Sequence, residues 1–387
     1  MIRLRYGIVS LIPLMILFYT IRRTYSFRIL NLKASQFSVG RSHKSKIMAV
    51  ENDRWEELIQ TTVPELSFRS SYKGSSGRLG VIGGSELYTG APFYAGMSAL
   101  RTGADLVTIV CHEDAAIPIK SYSPELMVVP YKHDNLSEVL STHLLTGRLH
   151  GVIIGPGLGR KDSVLVACRE FVIQARKDHP SMPIIIDADA LSLFTQKEHS
   201  TILLQHLHNL NTHTDTNNNT THVCAPIVLT PNAAEYSRLI NNFSSSSSLE
   251  RSFQGLNIIL IRKGQFDNIV SYNINGKSIT CWEEGGLKRS GGIGDILAGC
   301  LGSFLAWQNI IRSHSLIDDN GDQPQDASLM ACWMACTIVK QATKQAYQKY
   351  YRSMTAPDIL PYIGPTLHNL TTKPFTIRTE TDISSSS

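Results

Sequence analysis

Residue types that could do chemistry concentrate in Gly285–Asp295, which reads GGLKRSGGIGD and leads into an apolar, helix-competent segment, Ile296–Ile311. Glycines 291, 292 and 294 let the backbone turn sharply and bring its N–H groups close to a ligand. A helix starting there adds free N–H groups and a positive dipole end at the same point, which suits an anion and most often a phosphate. Asp295 places a carboxylate at the mouth of this nest. An anion hole beside a base suggests phosphoryl transfer to a hydroxyl. The same residues also read as a tight loop before a buried helix, with Asp295 as its cap.

Other segments repeat the strand–loop–helix style. Gly155-Pro-Gly-Leu-Gly159 follows Val152–Ile154, and Gly83-Gly84 follows Leu79–Ile82. Neither loop has the GxxxxGK[ST] or GxGxxG context, so a P-loop NTPase and a Rossmann dehydrogenase are set aside. Thr230-Pro-Asn-Ala-Ala-Glu235 opens a helix either with a capping box, Asn232 paired with Glu235, or with both oxygens near a phosphate-bound Mg2+ through waters. Lys263, at the end of a strand, could meet a phosphate as a point charge or simply be solvated. Asp187 and Asp189 could serve a site or cap the next helix.

The elements that must position these groups are legible from periodicity. Leu79–Ile82, Leu106–Cys111, Val152–Ile154, Ile184–Ile186, Ile227–Thr230 and Ile258–Ile261 are short Val/Ile-rich runs ending at Gly, Asp or Pro, and read as buried strands. Helical periodicity over Pro92–Thr102, Ser163–Lys177 and Asn232–Ile240 separates them. Alternation of this kind implies an α/β fold with a mainly parallel sheet covered on both faces. The pattern changes at Ile269–Trp282, where two strand-like runs flank Asn275-Gly276, a hairpin signal. Helices follow, notably Asp326–Tyr350, which puts Cys332 and Cys336 on one core-facing side. His206–His222, Ser244–Ser248 and Ser313–Asp326 read as low-complexity surface insertions.

With 387 residues, 42% of them hydrophobic, the chain can bury one large core or two small ones. Its net charge of +5 is concentrated at the start: residues 1–50 hold nine Lys or Arg and no acid. The remainder is slightly acidic, which argues against a nucleic-acid partner. Seven scattered cysteines without a CxxC pair indicate neither a zinc site nor a disulfide framework, and fit a reducing compartment. Gly7–Thr20 is apolar, flanked by arginines, and shorter than the ~20 residues of a comfortable membrane span. It reads as an organelle presequence, as a leader irrelevant to a cytoplasmic product that starts at Met48, or as a signal-like region for secretion or anchoring.

In this order, these pieces resemble the ATP-dependent NAD(P)H-hydrate dehydratases of the ribokinase-like superfamily. The similarity rests on GRLGVIGGSELYTGAPFYAGMSALRTGADLVT, GVIIGPGLGR, IIIDADAL, VLTPNAAEYSRL, IRKG and GGLKRSGGIGDILAG, spanning roughly Ser71–Leu370. GxGD alone would indicate only the superfamily, so a sugar or vitamin kinase is the alternative. The resemblance implies a three-layer α/β/α sandwich over 71–370, preceded by a leader (1–47) and a helical extension (48–70) and followed by a disordered tail (371–387). It implies that the hydroxyl on the ring of hydrated NADH or NADPH, as the S epimer, is phosphorylated by ATP with Mg2+ as cofactor. Phosphate then leaves and the ring double bond returns.

By matching motif, Asp295 would be the base, facing the substrate hydroxyl. Gly157, Asn232, Ala233, Ala234, Glu235, Tyr236, Ser237 and Arg238 would contact the hydrated dinucleotide. Lys263, Gly264, Gln265, Phe266 and Asp267, with Gly285, Gly286, Leu287, Lys288, Arg289, Ser290, Gly291, Gly292, Ile293 and Gly294, would form the ATP site. Ile293 departs from the small or polar residue of many relatives, and the insertion before Cys224 from their shorter chains. Too few residues precede the domain for the fused epimerase of many bacterial relatives, so an epimerase in trans is implied. A homo-oligomer is compatible with the helix faces. A helix N-terminus stabilises a carboxylate, and the expectation is therefore that Asp295 is a weak base.

Overall fold

The computed structural model describes residues 59, 62–64, 66, 72–132, 134–212, 224–273, 276–314 and 324–372. The chain divides into Met1–Lys46, wholly outside the described residues, and Ile47–Ser387. The expected leader (1–47), most of the 48–70 extension, residues 213–223, Asn275, residues 315–323 and the tail from 373 also lie outside them.

Chain order is β1 (Arg78–Ile82), α1 (Gly90–Thr102), β2 (Leu106–His112), α2 (Glu113–Tyr122), β3 (Met127–Tyr131), α3 (Leu136–Leu144), β4 (Gly151–Ile154) and α4 (Asp162–Asp178). Then come β5 (Ile184–Ile186), a 3-10 turn (Ala188–Leu191), α5 (Ser192–Thr195), α6 (Lys197–Thr212), β6 (Ile227–Leu229), α7 (Ala233–Asn242), α8 (Ser246–Phe253), β7 (Ile258–Arg262), β8 (Asp267–Ser271) and β9 (Ser278–Cys281). Helices α9 (Ile293–His314), α10 (Pro324–Tyr350) and α11 (Ala356–Thr372) follow.

The nine strands form one sheet in the order β3-β2-β1-β4-β5-β6-β7-β8-β9. β1 to β7 are parallel, and β8 and β9 add antiparallel, as the hairpin signal implies. Strand alternation sends Leu79, Val81, Ile153, Ile185, Val228 and Ile259 to one core, against α1, α9, α10 and α11. Ile82, Val152, Ile154, Ile184, Ile186, Leu229 and Leu260 go to the other, against α3, α4, α6, α7 and α8. The result is the expected three-layer α/β/α arrangement. All six expected strands are present; β3 was missed because its MVVPY is only half-buried and contains proline.

All three expected insertions are partly helix, residues 313–314 ending α9 and 324–326 opening α10. The serine run enters α8 because Ser245 caps it, its Oγ accepting from the N–H of Ser248 at 3.1 Å. Residues 206–212 continue α6, where the ring of His208 meets the carbonyl of Ser252 at 3.0 Å. Cys332 and Cys336 are fully buried, as their helix face implied.

The helix that carries Asp295 is seated by contact with α1. Ser303 Oγ donates to the carbonyl of Ala99 at 3.0 Å, and a Cβ at Gly299 would overlap Ser98 Oγ and the Ala95 carbonyl. Such close approach leaves no room for a methyl group. Gly299→Ala is therefore expected to cost about 2 kcal/mol of stability. The expected sign in urea titration is a lower midpoint at unchanged slope; an unchanged midpoint would contradict this packing.

Candidate active site

The strand order reverses at β1, whose neighbours are β2 and β4, and open parallel sheets bind ligands at the carboxyl ends of strands flanking such a reversal. Both glycine loops sit there. Gly84 N–H donates to the Pro156 carbonyl at 3.0 Å, and a Cβ on Gly157 would lie 2.8 Å from that of Tyr88. Gly155, at φ +123°, lies so close to the Asp187 carbonyl that any Cβ would overlap it.

One strand over, the turn after β5 is the best-anchored part of the edge. Asp187 is 1% exposed, and neither it nor any side chain caps the 3-10 turn that follows. Instead its Oδ1 accepts from Thr230 Oγ1 at 2.5 Å and from Lys263 Nζ at 2.9 Å. Asp189 points outward and holds the GPGLG loop: Oδ2 accepts from Gly159 N–H at 3.0 Å, and Oδ1 from Arg160 Nε at 2.9 Å. Between them Ala188 has φ +47°, a strained value for a residue with a side chain. Asp187 thus anchors Thr230 and Lys263, Asp189 anchors the glycine loop, and Asp187 does not cap the turn.

Lys263 joins this cluster to the glycine nest, since its Nζ lies 3.3 Å from where a Cβ on Gly294 would stand. Burial alone would push the ammonium down, but Asp187, Glu235 and Asp295 outweigh it and hold its pKa above the usual lysine value. The nest turns at Gly292, whose φ of +93° and 2.6 Å clearance between an added Cβ and that of Ala356 require glycine. Helix α9 starts at Ile293, earlier than expected, so Asp295 stands in its first turn.

The expected weak base is not what the site makes. Burial and then the nearby Asp187 carboxylate raise the Asp295 pKa to about 7, against the lowering by Lys263 and by the helix N–H. Desolvation and like charge outweigh the helix terminus. Tyr94 of α1 lies beside the nest, within 2.9 Å of where a Cβ on Gly292 would be, and its hydroxyl is raised by burial, Tyr122 and Asp295. Sequence reading had included it only inside a matching segment.

A pocket of about 100 Å³ gathers Lys263, Gly264, Asp267, Gly285, Gly286, Arg289, Ile293 and Gly294 from the expected ATP set. Its wall is completed by Leu297, Val339, Lys340 and Thr343. Lys340 was missed: its Nζ donates to the carbonyls of Gly264 and Gln265 at 2.9 and 2.7 Å and lies 3.3 Å from Asp267 Oδ1. Asp267 also accepts from Gly264 N–H at 2.9 Å, so the whole Lys263–Asp267 loop is strapped to α10. The available signal was a lysine directly after the mostly apolar run Leu329–Val339. Phe266 stacks obliquely on Trp282, Lys288 donates to the Arg352 carbonyl at 2.6 Å, Ser290 donates to the Gly291 carbonyl, and Leu287 is exposed.

On the other side of Lys263, α7 starts with the capping box read from sequence. Asn232 Oδ1 accepts from Glu235 N–H at 3.0 Å, and Glu235 Oε2 from Asn232 N–H at 2.8 Å. Asn232 is exposed and Glu235 half-buried, and an amide and a carboxylate oxygen already engaged in the cap fit Mg2+ through waters better than by direct coordination. Ala233, Ala234, Ser237 and Arg238 are exposed along the helix, while Tyr236 packs against the core with Arg262 over its ring.

The family description NAD(P)H-hydrate dehydratase matches residues 79–364. A protein named ATP-dependent (S)-NAD(P)H-hydrate dehydratase from Pediculus humanus subsp. corporis is 35% identical over 321 residues, 80% of this chain and 96% of the relative. The human protein of the same name is 35% identical over 344 residues, 86% of this chain and 88% of its own. Solved structures share the fold. A ribokinase-like superfamily protein from Enterococcus faecalis V583 has a TM-score of 0.60 at 19% identity, covering 87% of this chain and 100% of that one. The ADP/ATP-dependent NAD(P)H-hydrate dehydratase of Bacillus subtilis, co-crystallised with ATP and Mg2+, has a TM-score of 0.56 at 20% identity, covering 81% and 97%.

A carboxyl whose folded pKa of about 7 exceeds its ordinary 3.8 opposes folding once ionised, so its cost grows as pH rises between those values. Asp295→Asn is therefore expected to raise the melting temperature by roughly 5 °C at pH 8 and to leave it unchanged below about pH 4. Thermal unfolding across that range checks the sign; equal stability of the two proteins at pH 8 would contradict it.

Proposed function

The chain belongs to the NAD(P)H-hydrate dehydratase family, and on that premise we propose how its residues divide the work of an ATP-dependent lyase that returns hydrated NADH and NADPH to the reduced cofactor. ATP lies in the pocket between the Lys263–Asp267 loop and α10, with its terminal phosphate at the N–H groups of Gly291–Gly294. The hydrated dinucleotide, as its S epimer, lies against Gly157 and the Asn232–Arg238 segment, with its ring hydroxyl toward Asp295. Mg2+ would be held through waters by Asn232 and Glu235, and when bound neutralises phosphate charge.

Asp295 accepts the hydroxyl proton as the oxygen takes the γ-phosphoryl group. A carboxylate with a pKa near neutrality is a stronger base than an ordinary aspartate and is still ionised in half or more of the molecules above pH 7. Backbone N–H groups of the nest and Lys263 stabilise charge on the transferring phosphoryl. The C–O bond then breaks, phosphate departs with the hydroxyl oxygen, and loss of a neighbouring ring proton restores the double bond. Per turnover, ATP and hydrate become ADP, phosphate and reduced cofactor. The observation that carries this reading is the meeting of Asp295, Lys263 and the glycine nest at one end of α9. A separate epimerase supplies the S epimer, and the working protein is cytoplasmic.

The purified Met48-start form with ATP, Mg2+ and hydrated NADH labelled with oxygen-18 at the ring hydroxyl tests the reaction. The expected products are NADH and phosphate carrying the label. A stable phosphorylated product would favour the small-molecule kinase alternative. In the same assay Asp295→Ala is expected to lose at least about 100-fold in turnover; a near-wild-type rate would remove Asp295 from its role.

A further inference from the structure

Helix α10 lies under both loops of the pocket assigned to ATP, and one of its side chains meets each of them. The Lys340 stem passes beneath the loop that carries the nest, its Cδ 3.5 Å from where a Cβ on Gly285 would stand. The next residue sits closer still: a Cβ on Gly286 would lie 2.7 Å from the Thr343 carbonyl and from the Tyr347 Cβ. By their spacing Lys340, Thr343 and Tyr347 share one helix face, and that face is the bed of the loop. The Lys340 ammonium then reaches across to the other loop, the turn between β7 and β8.

In that turn three oxygens converge on one point. The carbonyls of Gly264 and Gln265 stand 2.9 and 2.7 Å from Nζ, and Asp267 Oδ1 stands at 3.3 Å. The lysine is 9% exposed and Asp267 4%, so without a cation this set of oxygens would be costly to hold together. An ammonium has three N–H donors, and here it meets three acceptors, which leaves none for a phosphate. The turn it holds is tight: a Cβ on Gly264 would lie 2.9 Å from the Phe266 carbonyl, and the Gly264 N–H donates to Asp267. We propose that Lys340 is a positioning residue for ATP, a built-in counter-ion that fixes the Lys263–Asp267 turn relative to Gly285 and Gly286. It thereby sets the width of the nucleotide pocket without touching the transferring phosphoryl group. This role rests on the assignment of that pocket to ATP. It separates the two lysines of the pocket: Lys263 faces the nest and the reacting groups, and Lys340 faces the protein.

The test separates the two substrates of one reaction. Lys340→Met keeps an apolar stem under Gly285 and removes the ammonium. Its KM for ATP is expected to rise roughly tenfold, while its KM for hydrated NADH stays within about twofold of the wild-type value. Lys340→Ala should show the same loss. Added n-propylammonium should lower the KM for ATP of that variant again, whereas n-propanol, which fills the same space without charge, should not. Asp267→Asn retains an acceptor for the Gly264 N–H but removes the charge that Lys340 faces, and should also raise the KM for ATP alone. If neither Lys340 variant folds, as judged by near-UV circular dichroism, the Asp267→Asn result decides. Equal losses on ATP and the hydrate, an unchanged KM for ATP, or rescue by propanol as good as by propylammonium would overturn the assignment. Failure of the wild-type protein to restore the hydrate would instead overturn the dehydratase reading itself.

Discussion

The site depends on one buried ion pair. Asp187 lies at the carboxyl end of a central strand with almost no access to water, and an isolated carboxylate there would be costly. Lys263, from two strands away, and Thr230, from the strand between, both donate to a single oxygen of it. Three consecutive strands are therefore locked at their functional ends by one carboxylate. The same pair sets the electrostatics: Asp187 keeps Lys263 charged next to the nest and discourages Asp295 from ionising.

Around that pair the edge separates into two compartments. One is closed by α10, whose Lys340 straps the Lys263–Asp267 loop through two carbonyls and Asp267. The other is closed by α7 and by the glycine loop that Asp189 holds. Asp295, in the first turn of α9, feels charges from both sides: Asp187 and Asp189 on one hand, Lys263 on the other. A group so placed can meet a hydroxyl from one compartment and a phosphate from the other. The close contact at Gly299 packs α9 against α1 about one turn beyond Asp295.

Much of this was legible in the chain itself. Short Val/Ile runs ending in Gly, Asp or Pro gave all six expected strands, because strands buried on both faces carry no polar alternation to confuse them. The nest, the capping box at Asn232 and the strand-end lysine were visible as local patterns with local causes. What escaped was set by distance in sequence. The partners of Asp187 are 43 and 76 residues away, and no local signal distinguishes a buried anchor from a helix cap. Lys340 is one of three lysines on α10 with nothing local to single it out, and Ser244–Ser248 reads as a surface insertion although Ser245 caps α8. The helix-dipole argument for Asp295 failed in a more instructive way: the dipole is present, but burial and Asp187 are larger, and both are tertiary.

The most direct measurement is the pH dependence of kcat/KM for the hydrate at saturating ATP, in wild-type protein and in Asp187→Asn. If the buried pair tunes the base, the wild-type acid limb falls near the Asp295 pKa of about 7, and in Asp187→Asn it moves down by part of the shift, burial still holding Asp295 above the ordinary carboxylate range. An acid limb at the same pH in both proteins would contradict the account, because Asp295 would then owe its raised proton affinity to burial without Asp187.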